Sequence, residues 1–89
     1  MHEIISSRRF KKNFRKLPKR IQAQAEERIA ILAGFEENPL YFRIHPLHGK
    51  LRGYFSLRIN FQIRIIFSIS PEENLLSLID IGDHYLYNS

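Results

Sequence analysis

Partway along this chain the spacing of apolar residues changes from helical to strand-like, and that change limits the possible folds more than any other feature. Before it, Phe10, Phe14 and Leu17 recur at steps of four and three, and Ile21, Ala25, Ile29, Leu32 and Phe35 at four, four, three and three. Each set therefore shares one helix face. Pro18 disfavours helical geometry at Leu17 and suits the first turn of a new helix, so the pattern predicts two helices and not one. Ser6-Ser7 offers the N-cap of the first. After the change, Phe55, Leu57 and Ile59 alternate with Tyr54, Ser56 and Arg58, and Ile63, Ile65, Phe67 and Ile69 alternate with Arg64, Ile66 and Ser68, the period of two strands. Pro71 to Asn74 reads as a turn, and Leu75 to Ile81 as a third strand ending in Gly82. His2 to Ser6 has the β-branched character of a short strand, whereas Tyr41 to Lys50 shows no period and reads as a loop. The expected fold is α+β: an N-terminal short strand and a helical hairpin packed on an antiparallel β-meander. The helices would cover the sheet face carrying Phe55, Leu57, Ile59, Ile63, Ile65 and Phe67, leaving the opposite face for function.

With 89 residues there is material for one core, so 1–89 is read as a single domain. The balance of 44% hydrophobic and 26% charged residues is that of a folding chain. Cysteine is absent, which removes disulfides and thiolate-based zinc sites. No apolar run approaches the ~20 residues of a membrane span, and the start lacks the pattern of a secretion signal, so a cytoplasmic protein without membrane contact is expected.

The net charge of +5 is unevenly spread. Arg8, Arg9, Lys11, Lys12, Arg15, Lys16, Lys19 and Arg20 follow one another with no acid between them, a block that attracts polyanions or an acidic protein, or else forms a solvated helix face. A second concentration emerges from register. If the apolar residues of the first two meander strands share a face, Leu57 lies opposite Ile65, and Asn60, Phe61 and Gln62 form the loop. Arg58 then falls opposite Arg64. Like charges directly across a strand pair destabilise a sheet, so an anion such as phosphate fits between them, unless both side chains splay into water. Around these strands lie His45, fixed in extended geometry by Pro46, then His48, and His84 after the third strand. Imidazole titrates near neutrality and serves as base or acid. The pair His45 and His48, three apart across a proline with no third ligand nearby, makes a poor metal site, and no metal or other cofactor is expected.

Taken together, the basic hairpin, His45-Pro-Leu-His-Gly-Lys-Leu-Arg-Gly-Tyr54, Arg58-Ile-Asn60, Arg64-Ile-Ile-Phe67 and the terminal Ile81-Gly-Asp-His-Tyr85 resemble the RelE/ParE superfamily of bacterial toxins, in the branch with YoeB and YafQ. The resemblance spans nearly the whole chain and implies the RelE-like microbial RNase fold. It further implies the toxin of a type II toxin–antitoxin system: a ribosome-dependent endoribonuclease that cuts messenger RNA on the 30S subunit and is held inactive by an antitoxin protein encoded nearby.

By position, the resemblance assigns proton transfer to His45, where YoeB-like toxins have glutamate and YafQ-like toxins histidine. It assigns the scissile phosphate contact to Arg64, the general acid to His84, and an adjacent aromatic role to Tyr85. Arg58 matches a basic strand position. The chain departs from the YafQ-like pattern at Ser56 and Gln62, which replace acids, and at Arg58, which replaces a histidine. Metal-free cleavage through the 2′-hydroxyl needs a base, an acid and cations around the pentacoordinate phosphorane, for which His45, His84 and the Arg58/Arg64 pair suffice. The base and acid roles are exchangeable. Tyr85 or Tyr87 would stack on a nucleobase, residues Arg8 to Arg20 would grip ribosomal RNA, and Lys50 and Arg52 would extend that surface. The alternatives are a ParE-like inhibitor of DNA gyrase and a catalytically inert relative that keeps only the antitoxin-binding surface.

Overall fold

The structure, a computed structural model, describes residues 2–34 and 44–83. Strand β1 (Glu3–Ser6) leads into helix α1 (Arg8–Arg15), followed by helix α2 (Lys19–Gly34) and the strands β2 (Ile44–Pro46), β3 (Phe55–Arg58), β4 (Ile63–Ser70) and β5 (Leu75–Asp83). The five strands form one sheet in the order β1-β5-β4-β3-β2. The last three strands in sequence make the expected antiparallel meander, while β1 runs parallel to β5 at one edge. This is the α+β architecture the periods predict.

Local chemistry sets the helix boundaries. Ser7 caps α1, its hydroxyl oxygen accepting from the Phe10 backbone N–H at 2.9 Å, and the same hydroxyl donates to the Ile79 carbonyl at 2.5 Å. One side chain thus satisfies a free helix donor and ties α1 to β5. At the far end of α1 the Gln22 side-chain amide donates to the carbonyls of Phe14 and Leu17 at 3.1 and 2.9 Å. Carbonyls left open by the break at Pro18 are closed in this way by the following helix. Replacing Ser7 with alanine is expected to cost about 1–2 kcal/mol and to lower the melting temperature by roughly 5–15 °C in a circular-dichroism melt.

The core lies between the helices and one sheet face: Phe10, Ala25, Ile29, Leu32 and Ala33 pack with Leu57, Ile59, Ile65, Phe67, Leu76, Leu78 and Ile81. The Phe10 and Phe14 rings stack at 5.8 Å, as do those of Phe55 and Phe67. Leu57 pairs with Ile65 and Arg58 with Arg64, the register that the apolar pattern requires.

Two features differ from the expectation. Part of the stretch read as a loop, Tyr41 to Lys50, is β2, paired antiparallel with β3, and a 3-10 turn covers Gly49–Leu51. A strand of three residues is too short to show a period; it is held by pairing with the open edge of β3. The last strand also runs beyond Ile81 to Asp83, with a register shift that leaves Ile79 without a partner between the pairs Phe67–Leu78 and Ile66–Asp80. The extra residue is a β-bulge, which breaks the two-residue alternation: Leu78 pairs with Phe67 on the core face, whereas Asp80, two residues on, pairs with Ile66 on the opposite face. No described helix is long and apolar enough to cross a membrane.

Candidate functional site

The sheet face turned away from the core carries the candidate chemistry, and register alone defines it. His45 is paired with Ser56, and Ser56 with Ile66. One step further along, Arg58 is paired with Arg64, and Arg64 with Gly82. Because side chains alternate along a strand, Ser56 and Arg58 share a face, as do Arg64 and Ile66, opposite to Leu57 and Ile65. His45, Arg58 and Arg64 therefore stand on one surface. Strand spacing of about 4.8 Å and a rise of about 3.4 Å per residue separate the His45 and Arg64 Cα atoms by roughly 12 Å. An imidazole and a guanidinium reaching across that span can touch one phosphodiester.

The polar atoms here are not all satisfied. The hydroxyl of Ser56 and the Nε of Arg64 are buried and have no hydrogen-bond partner among the described residues. Most buried polar groups in a native protein are paired, so two on adjacent rows mark a place where structure gives way to another requirement. Neither Arg58 nor Arg64 has a carboxylate partner among the described residues. Arg58 and His45 are exposed and Arg64 is half-buried, so the pair is open to solvent on one side.

A nearby carboxylate is committed elsewhere. Asp80 is 0% exposed. It accepts from the Asn13 side-chain amide at 2.7 Å and from the Ile81 backbone N–H at 2.8 Å, and pairs with Arg9 Nε at 3.1 Å. Asn13 and Arg9 lie one turn apart on α1, so both reach the same acid. By register Asp80 lies opposite Ile66, on the same sheet face as Arg64, and it is paired there with α1 through Asn13 and Arg9. Sequence reasoning passed over Asp80, yet a lone acid inside the apolar run Leu75 to Ile81 is a usable signal, because a buried charge has to be paired.

The basic block occupies α1 and the start of α2, and all eight residues Arg8, Arg9, Lys11, Lys12, Arg15, Lys16, Lys19 and Arg20 are exposed. Among the described residues only Arg9 in this block has an ion-pair partner, and it remains 71% exposed. Lys50 and Arg52 are also exposed, but they lie in and after the 3-10 turn between β2 and β3. That is the opposite end of β3 from Arg58. His84, Tyr85 and Tyr87 lie outside the described residues. Among the described residues no three of His, Asp and Glu are grouped so as to hold a metal ion.

No protein-family model matches the sequence, and comparison with curated proteins finds no match. Solved structures do match over nearly the whole length. YafQ from E. coli strain BL21(DE3) superposes with a TM-score of 0.79 at 17% identity, covering 100% of both chains. A chain of the RelBE2 toxin–antitoxin complex from Mycobacterium tuberculosis gives 0.72 at 23% identity, covering 92% of this chain and 96% of that one. A chain of the YoeB–YefM complex from Staphylococcus aureus gives 0.74 at 19%, covering 96% and 99%. The fold is thus that of the RelE, YafQ and YoeB toxins.

Proposed function

We propose that this chain is the toxin of a toxin–antitoxin pair and that it acts as a ribosome-dependent endoribonuclease on messenger RNA. The observation that carries the reading is the shared face of His45, Arg58 and Arg64, with the Arg64 Nε buried and without a partner. Two guanidinium groups side by side repel each other in a bare sheet and are offset by a phosphate. The likeness in fold to toxins solved with their antitoxins supports the same kind of partner here, a small antitoxin protein.

In the proposed reaction one histidine removes the proton of a 2′-hydroxyl, and the resulting oxygen attacks the adjacent phosphorus. Arg64, with Arg58, stabilises the charge on the phosphorane oxygens. The 5′-oxygen leaves with a proton from the second histidine, giving a 2′,3′-cyclic phosphate and a 5′-hydroxyl end. His45 and His84 are assigned these two roles. Gly82 is the cross-strand partner of Arg64, and His84 follows it by two residues. The role of His84 rests on the resemblance and on the chemistry of imidazole, which serves as base or acid near neutrality. Tyr85 and Tyr87 are assigned contacts to the message.

The exposed basic block is assigned to the ribosomal RNA backbone, with Lys50 and Arg52 as outlying contacts. Binding to 30S subunits is then expected to weaken steeply as salt rises. Replacing Lys11, Lys12 and Lys16 together by alanine should flatten the log–log salt slope by about 2, at roughly 0.7 for each phosphate that is no longer neutralised. Affinity that is indifferent to salt would show the block to be a solvated helix face.

The reading is tested by controlled expression of the chain alone and with its neighbouring small gene. Growth arrest with cleaved messages, relieved by the second gene, is the expected result. Arrest with intact messages and a DNA-damage response would identify a gyrase inhibitor, and normal growth an inert relative.

A further inference from the structure

The loop between β3 and β4 holds an aromatic side chain that the catalytic reading does not use. Phe61 is 77% exposed, at the tip of the hairpin whose first pair on the functional face is Arg58–Arg64. A single exposed apolar residue needs no explanation by itself. Here, however, the surrounding turn is built to stay in place. The Asn60 side-chain oxygen accepts from the backbone N–H groups of Gln62 and Ile63, both at 2.8 Å. The Ile59 N–H donates to the Ile63 carbonyl at 2.8 Å, and Arg28 Nη1 reaches from α2 to the Ile59 carbonyl at 2.8 Å. A large ring is thus presented to water from a fixed turn and is not folded back onto the core. It stands three positions along the chain from each arginine, a span of no more than about 11 Å.

We infer that Phe61 is a stacking platform for an unpaired nucleobase of single-stranded RNA whose backbone phosphate lies at Arg58 and Arg64. This inference rests on the RNA-cleaving reading and adds a base-contacting residue to it. Base faces stack on aromatic rings whatever the sequence, and unpaired RNA is commonly held by such contacts beside a cationic groove. A turn fixed in advance lowers the entropy lost when the base docks. Rigid presentation, high exposure and adjacent paired cations are together what such a platform requires.

The test uses the full chain and a short 2′-O-methylated single-stranded RNA oligonucleotide, which resists cleavage, alongside an abasic strand of the same length. Phe61→Ala should weaken binding of the oligonucleotide by roughly 5- to 150-fold and leave binding of the abasic strand unchanged. The chain has no tryptophan, so Phe61→Trp supplies a single reporter. It should retain affinity, and its emission should be quenched by the oligonucleotide and not by the abasic strand. Arg64→Ala serves as the reference for phosphate binding. If Arg64→Ala loses affinity while Phe61→Ala binds as the parent does and the tryptophan is unquenched, the stacking role is overturned and the RNA reading stands. If the parent itself does not bind the oligonucleotide, the stacking role is overturned, while the ribosome-dependent cleavage is judged separately by whether messages are cut on expression. A Phe61→Ala variant that loses only the antitoxin would make the residue a protein contact and likewise overturn the inference.

Discussion

Replacing Arg64 with alanine is expected to reduce message cleavage on translating ribosomes by roughly 10²–10³-fold, the usual effect of removing a donor that stabilises transition-state charge. Stability should move the other way. Arg64 faces Arg58 directly across β3 and β4, and relieving a like-charge pair of this kind stabilises a sheet by roughly 0.2–1 kcal/mol. A residue kept for the fold cannot give both results, so activity and urea-denaturation midpoint should be measured on the same preparation. Arg64→Lys should recover little of the lost rate. It restores charge, but it lacks both the planar fork that grips a phosphate and the Nε now buried without a partner. A variant with full activity would remove Arg64 from the mechanism.

The second large effect belongs to Asp80 and is one of stability. Asp80→Ala deletes a fully buried carboxylate with hydrogen bonds from Asn13 and Ile81 and an ion pair to Arg9. Charge-assisted hydrogen bonds and the space left behind together amount to about 2–4 kcal/mol. For a domain of this size that lowers the melting temperature by roughly 10–25 °C. Arg9→Ala should cost far less, about 1 kcal/mol or under, because the arginine is 71% exposed and water screens its side of the pair. The double variant should be no less stable than Asp80→Ala alone, since Arg9 has no separate described partner. Calorimetry of the three variants checks this order, and an Asp80→Ala protein as stable as the parent would contradict it.

These two residues also mark what the sequence could and could not reveal. The pairing of Arg58 with Arg64 was legible because Leu57 and Ile65 must share the core face, and a one-residue slip would expose the whole apolar set. The break at Pro18 and the cap at Ser7 were legible because each acts on its immediate neighbours. Strand β2 was not, since three residues carry no period and depend on an edge formed by residues distant in sequence. Nor was the bulge at Ile79, which nothing in the run Leu75 to Ile81 announces. The ion pair of Arg9 was hidden for a related reason: within the basic block it is indistinguishable from its neighbours, and only the fold brings Asp80 to it. His45 was picked out by its chemistry, whereas its place on the same face as Arg64 followed only once β2 was paired to β3. His84, Tyr85 and Tyr87, singled out by the same chemistry and by resemblance, remain proposals.

In the proposed function one sheet face, with His45 and the arginine pair, cuts RNA through the RNA's own 2′-hydroxyl while the message is being translated. This is tested most directly by inducing the chain in cells and sequencing RNA fragments selected for 5′-hydroxyl ends, with and without a block on translation initiation. New 5′-hydroxyl ends are expected inside coding regions; they should disappear when initiation is blocked and be absent with Arg64→Ala. Growth arrest without such ends, or ends that persist equally in the Arg64→Ala variant, would contradict that function.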